Sequence, residues 1–158
     1  METNHLIKES ILINISGKKV LIDKEDLYKV SLFKWHIHKS GYVKSLNFRL
    51  HRFIMGLNEY SNNIQVDHKN GNKLDNRKSN LRICNCAQNC MNKPANRKNK
   101  TSIYKGVSKD RNRYRATIKV YGKKIHLGSY LTEIEAAKAY DIAAKEYHKE
   151  FSHTNNLI

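Results

Sequence analysis

The sequence predicts an α+β protein in two modules. A β-rich N-terminal segment leads into a strand–turn–strand–helix core, and a three-stranded antiparallel sheet packed on one long helix follows. Three observations predict this organisation. Short alternating runs separated by Gly-containing turns recur between residue 6 and the predicted helix cap at Asn85, which is typical of strands. The single proline falls in a basic stretch without large apolar residues, 93–102, which indicates a linker. Alternating runs then precede a long alanine-rich segment.

The N-terminal third is predicted to be mostly β-structure with two short helices. Isoleucines alternate along the first half of residues 6–22, and a turn at Gly17 divides the segment into two strands. Asp23 is predicted to cap the first short helix. An apolar–basic alternation predicts a hairpin over residues 33–48, and residues 49–55 are predicted to form the second helix.

The next segment carries the densest set of polar groups. Alternation from Ile64 to His68 predicts a strand, and Asn70-Gly71 predicts a two-residue hairpin turn because both residue types tolerate positive φ. Asn85 is predicted to cap a helix over residues 86–92. Helical spacing puts three amides on one face of that helix, namely Asn85, Asn89 and Asn92.

The run DHKNGNKLDNRKSNLR at 67–82, followed by the amide-bearing helix, resembles the HNH nucleases, especially those of phage-type homing endonucleases. The resemblance implies a ββα-metal core and the hydrolysis of a phosphodiester. It implies that His68 is the general base and that Asp67 is a metal ligand. Asn80 would brace the loop and orient His68. Asn89 stands where the family usually has a histidine, and it would be the second metal ligand, with Asn85 or Asn92 as alternatives.

The ligand types indicate which ion such a site would hold. Mg²⁺ prefers oxygen donors and takes few of them from protein, so one carboxylate and one amide suffice. The missing final histidine argues against zinc. We therefore expect Mg²⁺ or Mn²⁺. Candidate phosphate contacts nearby are Arg52, in the phrase LHRFIMG that also resembles related homing nucleases, and Arg77 and Arg82 within the core.

The C-terminal module is predicted to present a basic sheet face. Alternation along residues 114–120 and 125–127 predicts strands whose one face is apolar and whose other face is cationic. Thr132 and Glu135 form the pattern of a capping box at the start of a long helix. Alanines along that helix allow close packing on the sheet, which leaves the opposite face uncovered.

The phrases YKGV at 104–107, LGSY at 127–130 and EAAKAYD at 135–141 resemble the plant-type APETALA2 DNA-binding domain. That family lays its three-stranded sheet in the major groove of DNA. The resemblance implies DNA contacts by Lys105, Ser108, Arg113, Arg115, Thr117, Lys119, Lys124 and His126. Plant members carry Arg or Trp at several positions where Ser108, Lys124 and His126 stand here. The base sequence that is read must therefore differ.

The amino-acid composition indicates the kind of partner and the cellular location to expect. Lys and Arg number 30 against 14 Asp and Glu, which gives a formal net charge of +16 and favours a polyanionic partner. No apolar run approaches the roughly 18 residues of a membrane span, and three cysteines argue against a disulfide framework. We expect a cytoplasmic protein, bacterial or in a phage-infected host cell. It would act as a monomer on double-stranded DNA without an obligate protein partner. The alternative is a DNA-binding regulator with an inactive nuclease core.

The same observations set the expected boundaries of the modules. The nuclease module is expected at residues 1–93, with its core at about 63–93. A basic linker is expected at 94–102, and the DNA-binding module at 103–156.

Overall fold

A computed structural model describes residues 9–57, 63–94 and 101–157, and it confirms the α+β class. The chain divides into two compact units, residues 1–85 and 86–158. Most of the predicted linker, residues 95–100, lies outside the described part of the chain.

The N-terminal unit begins with the predicted hairpin. Strand β1 (Ser10–Ile15) pairs antiparallel with β2 (Lys18–Asp23), and the turn between them uses positive φ angles of 49° at Ser16 and 78° at Gly17. A 3-10 turn and helix α1 (Leu27–Ser31) follow. The predicted cap by Asp23 is wrong: its side chain accepts no hydrogen bond from the helix, and Oδ2 instead accepts from the backbone N–H of Lys78 at 2.8 Å.

Four short strands and one short helix complete this unit. They are β3 (His36–Ile37), β4 (Val43–Lys44), α2 (Leu50–Ile54), β5 (Gln65–His68) and β6 (Leu81–Cys84). Strand β3 pairs with β4, and β5 pairs with β6, both antiparallel. The buried apolar side chains of the N-terminal unit form one core that includes Val20, Ile22, Val43, Leu50, Val66 and Leu81.

The predicted two-residue hairpin at Asn70-Gly71 is wrong. Strands β5 and β6 are joined by the whole of residues 69–80, which we call the site loop. The loop forms because its residues 74–76 pair with β2: the N–H of Leu21 donates to Leu74 at 2.8 Å, and its carbonyl accepts from Asn76 at 2.7 Å. Tertiary pairing thus overrides the local turn signal.

The C-terminal unit contains a three-stranded sheet and its long helix, as predicted. Its elements are α3 (Cys86–Met91), β7 (Val107–Asp110), β8 (Arg113–Val120), β9 (Lys123–Tyr130) and α4 (Glu133–His148). The sheet order is β7–β8–β9, all antiparallel. The capping box of α4 is confirmed: Thr132 Oγ1 accepts from the N–H of Glu135 at 3.2 Å, and the Glu135 carboxylate accepts from the N–H of Thr132 at 3.0 Å.

Small residues let α4 lie close on the sheet. Ala136, Ala137 and Ala144 are fully buried against it. Gly106 precedes β7 with φ at +79°, and a Cβ built there would lie 1.9 Å from the ring of Tyr140. A glycine is therefore required by both the backbone angle and the space.

None of the helices in the described ranges combines the length and apolar character that a membrane span requires.

Candidate active site and nucleic-acid interface

His68 ends strand β5 and is buried, with 4% of its surface exposed. Its Nε2 lies 3.3 Å from Oδ1 of Asn76 in the site loop. Burial lowers the pKa of His68, although the Asn76 hydrogen bond and the carboxylates of Asp67 and Asp75 oppose that shift. The imidazole is therefore neutral near pH 7, which is the form that a general base needs.

A second buried imidazole lies against the first. His51 of α2 is 4% exposed, and its ring meets the ring of His68 edge-on with centroids 5.1 Å apart. Tyr42 flanks both rings, at 5.1 Å from His51 and 6.0 Å from His68. Burial, and then the charge of His68 and two arginines, lowers the pKa of His51 to about 3. His51 is thus an uncharged neighbour of the candidate base.

Asp67 precedes His68 and forms a buried ion pair with Arg82 across the β5–β6 ladder. The guanidinium donates from Nε at 2.9 Å and from Nη2 at 2.6 Å, both to Oδ2. The two side chains are only 10% and 9% exposed. Arg82 therefore balances the charge of Asp67, the predicted metal ligand. A phosphate contact by Arg82 stays a prediction, and the guanidinium would then have to bind the phosphate and Asp67 at the same time.

Asn80 ties the two ends of the site loop together. Its Oδ1 accepts from the N–H of Asn70 at 3.1 Å, and its Nδ2 donates to Oδ1 of Asn70 at 3.0 Å and to the carbonyl of Asp75 at 2.8 Å. The Asn80 carbonyl accepts from the N–H of Lys69 at 2.9 Å. These bonds are what a loop-bracing residue would make, whereas it is Asn76 whose side chain lies within hydrogen-bond distance of the His68 ring.

Charged side chains hold the rest of the loop. Asp75 accepts two hydrogen bonds from the Arg77 side chain, at 2.9 and 2.8 Å, and one from the Asn70 side chain at 2.9 Å. The bonds from Arg77 lower the pKa of Asp75, so the pair stays ionic at neutral pH. Lys73 lies 4.5 Å from the ring centroid of Tyr42 and donates to the Ser40 carbonyl at 2.8 Å. The Arg77 side chain therefore already binds Asp75 within the loop, and its predicted contact with a DNA phosphate would come in addition to that ion pair.

The predicted second metal ligand belongs to the other unit. Asn89 lies on α3, which groups with residues 86–158, so its pairing with Asp67 stays a proposal, as do the alternatives Asn85 and Asn92. The donor types fit a hard cation: a carboxylate and carboxamides offer oxygen atoms, which Mg²⁺ and Mn²⁺ prefer.

A separate acidic cluster in the described ranges, Asp23, Glu25 and Asp26, is neutralised from within the same unit. Lys78 donates to Glu25 at 2.6 Å and to Asp26 at 3.0 Å, and the backbone N–H of Lys78 holds Asp23. This cluster is therefore part of the scaffold.

Arg52 is buried rather than exposed. Its side chain donates from Nη1 to the carbonyl of Ile64 at 2.6 Å, and only 5% of the residue is accessible. A phosphate contact by Arg52, as predicted from the sequence, would have to reach a side chain that is almost entirely buried.

The C-terminal sheet has one covered and one open face. Buried residues of β8, Ala116, Ile118 and Val120, face α4, and the alternate positions face outward. Cross-strand pairing sets Thr117 opposite His126 and Lys119 opposite Lys124. The open face thus contains most of the predicted DNA contacts, namely Arg113, Arg115, Thr117, Lys119, Lys124 and His126.

Two cations of this unit have partners within it. Lys105 donates from Nζ to the carbonyl of Met91 at 2.5 Å and lies 6.0 Å from the ring centroid of Tyr140. Arg115 forms an ion pair with Asp110, in which both side chains remain nearly half exposed. Because an exposed pair is weak, Arg115 can exchange Asp110 for a phosphate or a base at small cost.

Asn76 was not identified from the sequence, and His51 was not placed beside His68. Asn76 is 1% exposed and stands in the LDNR phrase between Asp75 and Arg77. A carboxylate and an arginine two residues apart indicate a local ion pair, which would turn the intervening side chain toward the opposite side. That signal could have identified Asn76. The packing of α2 against β5 brings His51 next to His68, and no residue spacing in the sequence predicts that contact.

Comparison with known proteins identifies the family of the chain. A sequence profile described as HNH endonuclease matches residues 56–91, which include Asp67, His68, Asn80 and Asn89. A protein of Acanthamoeba polyphaga mimivirus, described as an uncharacterized HNH endonuclease, is 38% identical over 135 residues, covering 81% of this chain and 70% of the relative. No solved structure matches the chain. The chain therefore belongs to the HNH endonuclease family and is a nuclease, a hydrolase.

Proposed function

We propose that the chain is a metal-dependent, homing-type DNA endonuclease that hydrolyses a phosphodiester with His68 as the general base and Asp67 beside it as a metal ligand. The observation that carries this proposal is the buried Asp67-His68 pair at the end of β5. It lies opposite Arg82 and Leu81 on β6, next to a loop braced by Asn80. Burial keeps the imidazole uncharged, so it can accept a proton at neutral pH.

In this mechanism His68 removes a proton from the attacking water, and the products carry 5′-phosphate and 3′-hydroxyl ends. Asp67 and Asn89 would hold one Mg²⁺ or Mn²⁺, which neutralises charge on the phosphate and the leaving oxygen when bound. Asn80 keeps the site loop closed. Arg82 holds the Asp67 carboxylate in one orientation through two donors on the same oxygen.

We further propose that the C-terminal sheet directs the nuclease to DNA as an APETALA2-type module. A sheet of this width fits the major groove, where Arg and Lys read guanine edges. The pairing of Lys119 with Lys124 supports a polyanionic ligand, because like charges directly opposite each other destabilise a sheet. A bound phosphate would relieve that repulsion. The chain would act as a monomer, and one active site per chain would nick one strand at a time.

Relaxation of a supercoiled plasmid tests the nuclease. Wild type, His68→Ala and His38→Ala are each incubated with Mg²⁺ or with EDTA. We expect open circles or linear DNA from wild type and His38→Ala with Mg²⁺ only, because His38 lies on the exposed hairpin with its ring against Ser40. Removing a general base costs about 10²–10⁴-fold in rate. Equal cutting by His68→Ala would contradict the proposal.

The alternative, a DNA-binding regulator with an inactive core, has one observation in its favour. Arg82 already occupies Oδ2 of Asp67, as a cation would. It predicts that wild type and His68→Ala shift duplex DNA equally in a mobility assay and that neither cuts with Mg²⁺ or Mn²⁺. Cleavage by wild type that EDTA abolishes excludes it.

A further inference from the structure

Asn76 is fixed on three sides within the N-terminal unit. Its backbone N–H donates to the carbonyl of Leu21 at 2.7 Å, and its side-chain Nδ2 donates to the carbonyl of Lys73 at 3.3 Å. Its Oδ1 lies 3.3 Å from Nε2 of His68. With 1% of its surface exposed, it is among the most buried polar residues that the structure describes. Buried polar side chains are normally hydrogen-bonded, so the orientation of the Asn76 amide is set by the groups that it contacts.

The bond to Lys73 determines which end of the amide faces His68. A carbonyl oxygen only accepts, so the amide nitrogen must point toward Lys73. The amide oxygen then faces His68, and because it also only accepts, Nε2 must carry the proton. A neutral imidazole has one proton, so Nδ1 carries the lone pair.

We propose that Asn76 is a positioning residue for the nuclease reaction, which fixes His68 in the Nε2–H tautomer so that Nδ1 is the atom that accepts the proton from the attacking water. This inference rests on the proposed function. In the step, the water O–H bond breaks, its proton binds Nδ1, and its oxygen attacks phosphorus. The leaving 3′-oxygen departs with the electron pair of the broken P–O bond.

The anchor of Asn76 lies outside the segment that matches the family. Leu21 belongs to β2, and it bonds to the site loop twice, at Leu74 and Asn76. Lys78 at the far end of the loop is held by Asp23 of the same strand. Strand β2 therefore fixes both the backbone of Asn76 and the loop that carries it. The ring of His51 limits rotation of His68 from another direction.

The first test reads the tautomer directly in the unmodified full-length chain. Long-range ¹H–¹⁵N correlation spectra of the histidine rings are recorded at neutral pH in EDTA, with His68 assigned from His68→Gln. We expect the His68 signals to have the pattern of a protonated Nε2 and an unprotonated Nδ1. A protonated Nδ1 would overturn the proposal, and this result does not depend on whether the chain cuts DNA.

The second test uses two variants of Asn76 and one control. Asn76→Leu removes the acceptor, so we expect the Nε2–H pattern to be lost and kcat to fall about 10- to 100-fold, with KM for DNA within about twofold of wild type. Asn76→Gln keeps both an amide oxygen for His68 and an amide nitrogen for the Lys73 carbonyl, so we expect it to retain the Nε2–H pattern and most of the rate. Asn72→Ala, in the same loop, should leave the tautomer unchanged.

The outcomes separate this proposal from the proposed function. If wild type cuts no DNA, the proposed function fails, and the spectra still report the tautomer. If Asn76→Leu keeps wild-type kcat, or if Asn76→Gln is as slow as Asn76→Leu while its amide spectrum is that of a folded chain, the positioning role is wrong. If Asn76→Leu does not fold, the wild-type spectrum and Asn76→Gln decide.

Discussion

The His68 site consists of buried polar side chains that hydrogen-bond to one another, whereas the open face of the C-terminal sheet consists mainly of exposed cationic side chains. Asp67 and Arg82 pair with about a tenth of each side chain accessible, and Asp110 and Arg115 pair with nearly half accessible. A pair of one carboxylate and one guanidinium is therefore buried in one region and exposed to solvent in the other. In the first region the pair fixes a geometry, and in the second, under the proposed DNA-binding role, it would leave a cation available to an incoming phosphate or base.

The largest expected effect compares these two ion pairs. Arg82→Ala leaves a buried carboxylate without its cation and should reduce the free energy of unfolding by about 3–5 kcal/mol. Arg115→Ala should reduce it by less than about 1 kcal/mol, because solvent already screens that pair. Urea unfolding in EDTA measures both. Equal losses of unfolding free energy in the two variants would contradict the difference between the buried and the exposed ion pair.

A second prediction concerns the packing behind the sheet. Gly106→Ala combines a positive φ with a Cβ 1.9 Å from the Tyr140 ring, and we expect a loss of about 2–4 kcal/mol. Gly122→Ala is the matched control, since its φ is also positive but nothing lies within 4 Å of the added Cβ. It should cost only the backbone strain, about 1–2 kcal/mol. Thermal unfolding of the two variants isolates the contribution of the Tyr140 contact.

The third prediction addresses DNA affinity. Lys119→Ala should weaken duplex binding by about 1–3 kcal/mol if Lys119 reads a base edge, and it should relax the preference at that position. If Lys119 contacts a phosphate, affinity should fall for all sequences and the salt dependence should decrease. Lys145→Ala on α4, on the other side of the sheet, is the control. Fluorescence anisotropy at several salt concentrations distinguishes the cases, and unchanged affinity would exclude Lys119 from the interface.

The smallest expected effect is the dependence of stability on pH. The folded pKa of His51 is about 3, so the unfolded chain binds a proton first as the pH falls below the ordinary value near 6.5. Stability is therefore complete above that value and decreases toward acid. At pH 5.5 His51 alone should cost about 1.4 kcal/mol relative to pH 8, and the lowered pKa of His68 adds in the same direction.

Denaturant unfolding at several pH values checks this dependence. His51→Phe should flatten the decrease between pH 8 and 5.5, whereas His36→Gln on the exposed strand β3 should not. An unaltered slope in His51→Phe would mean that other groups cause the acid sensitivity.

Strict periodicity made one region predictable. Along β8, alternate residues face α4 or solvent, so the outward set from Arg113 to Lys119 follows from the sequence alone. The capping box at Thr132 and the hairpin of β1 and β2 were predictable for the same reason: each depends on neighbours in sequence.

The site loop was less predictable because its structure depends on distant residues. Asn70-Gly71 signals a short turn, but pairing of residues 74–76 with Leu21 stabilises a wider loop. Asp23 appears as a helix cap in the local pattern, yet it bonds to Lys78 far along the chain. The Asp67–His68 pair was identified by its resemblance to a family, whereas the positions of Asn76 and His51 come only from tertiary structure.

The attachment of β2 to the site loop limits how the nuclease can be divided or transplanted. The segment matched by the family profile begins at residue 56, after both the strand that holds Asn76 and the helix that carries His51. A fragment cut at that boundary would keep Asp67, His68 and Asn80 but would lack these supports. Any engineered fusion that borrows this catalytic segment should therefore begin before Ser10, at the start of the first hairpin.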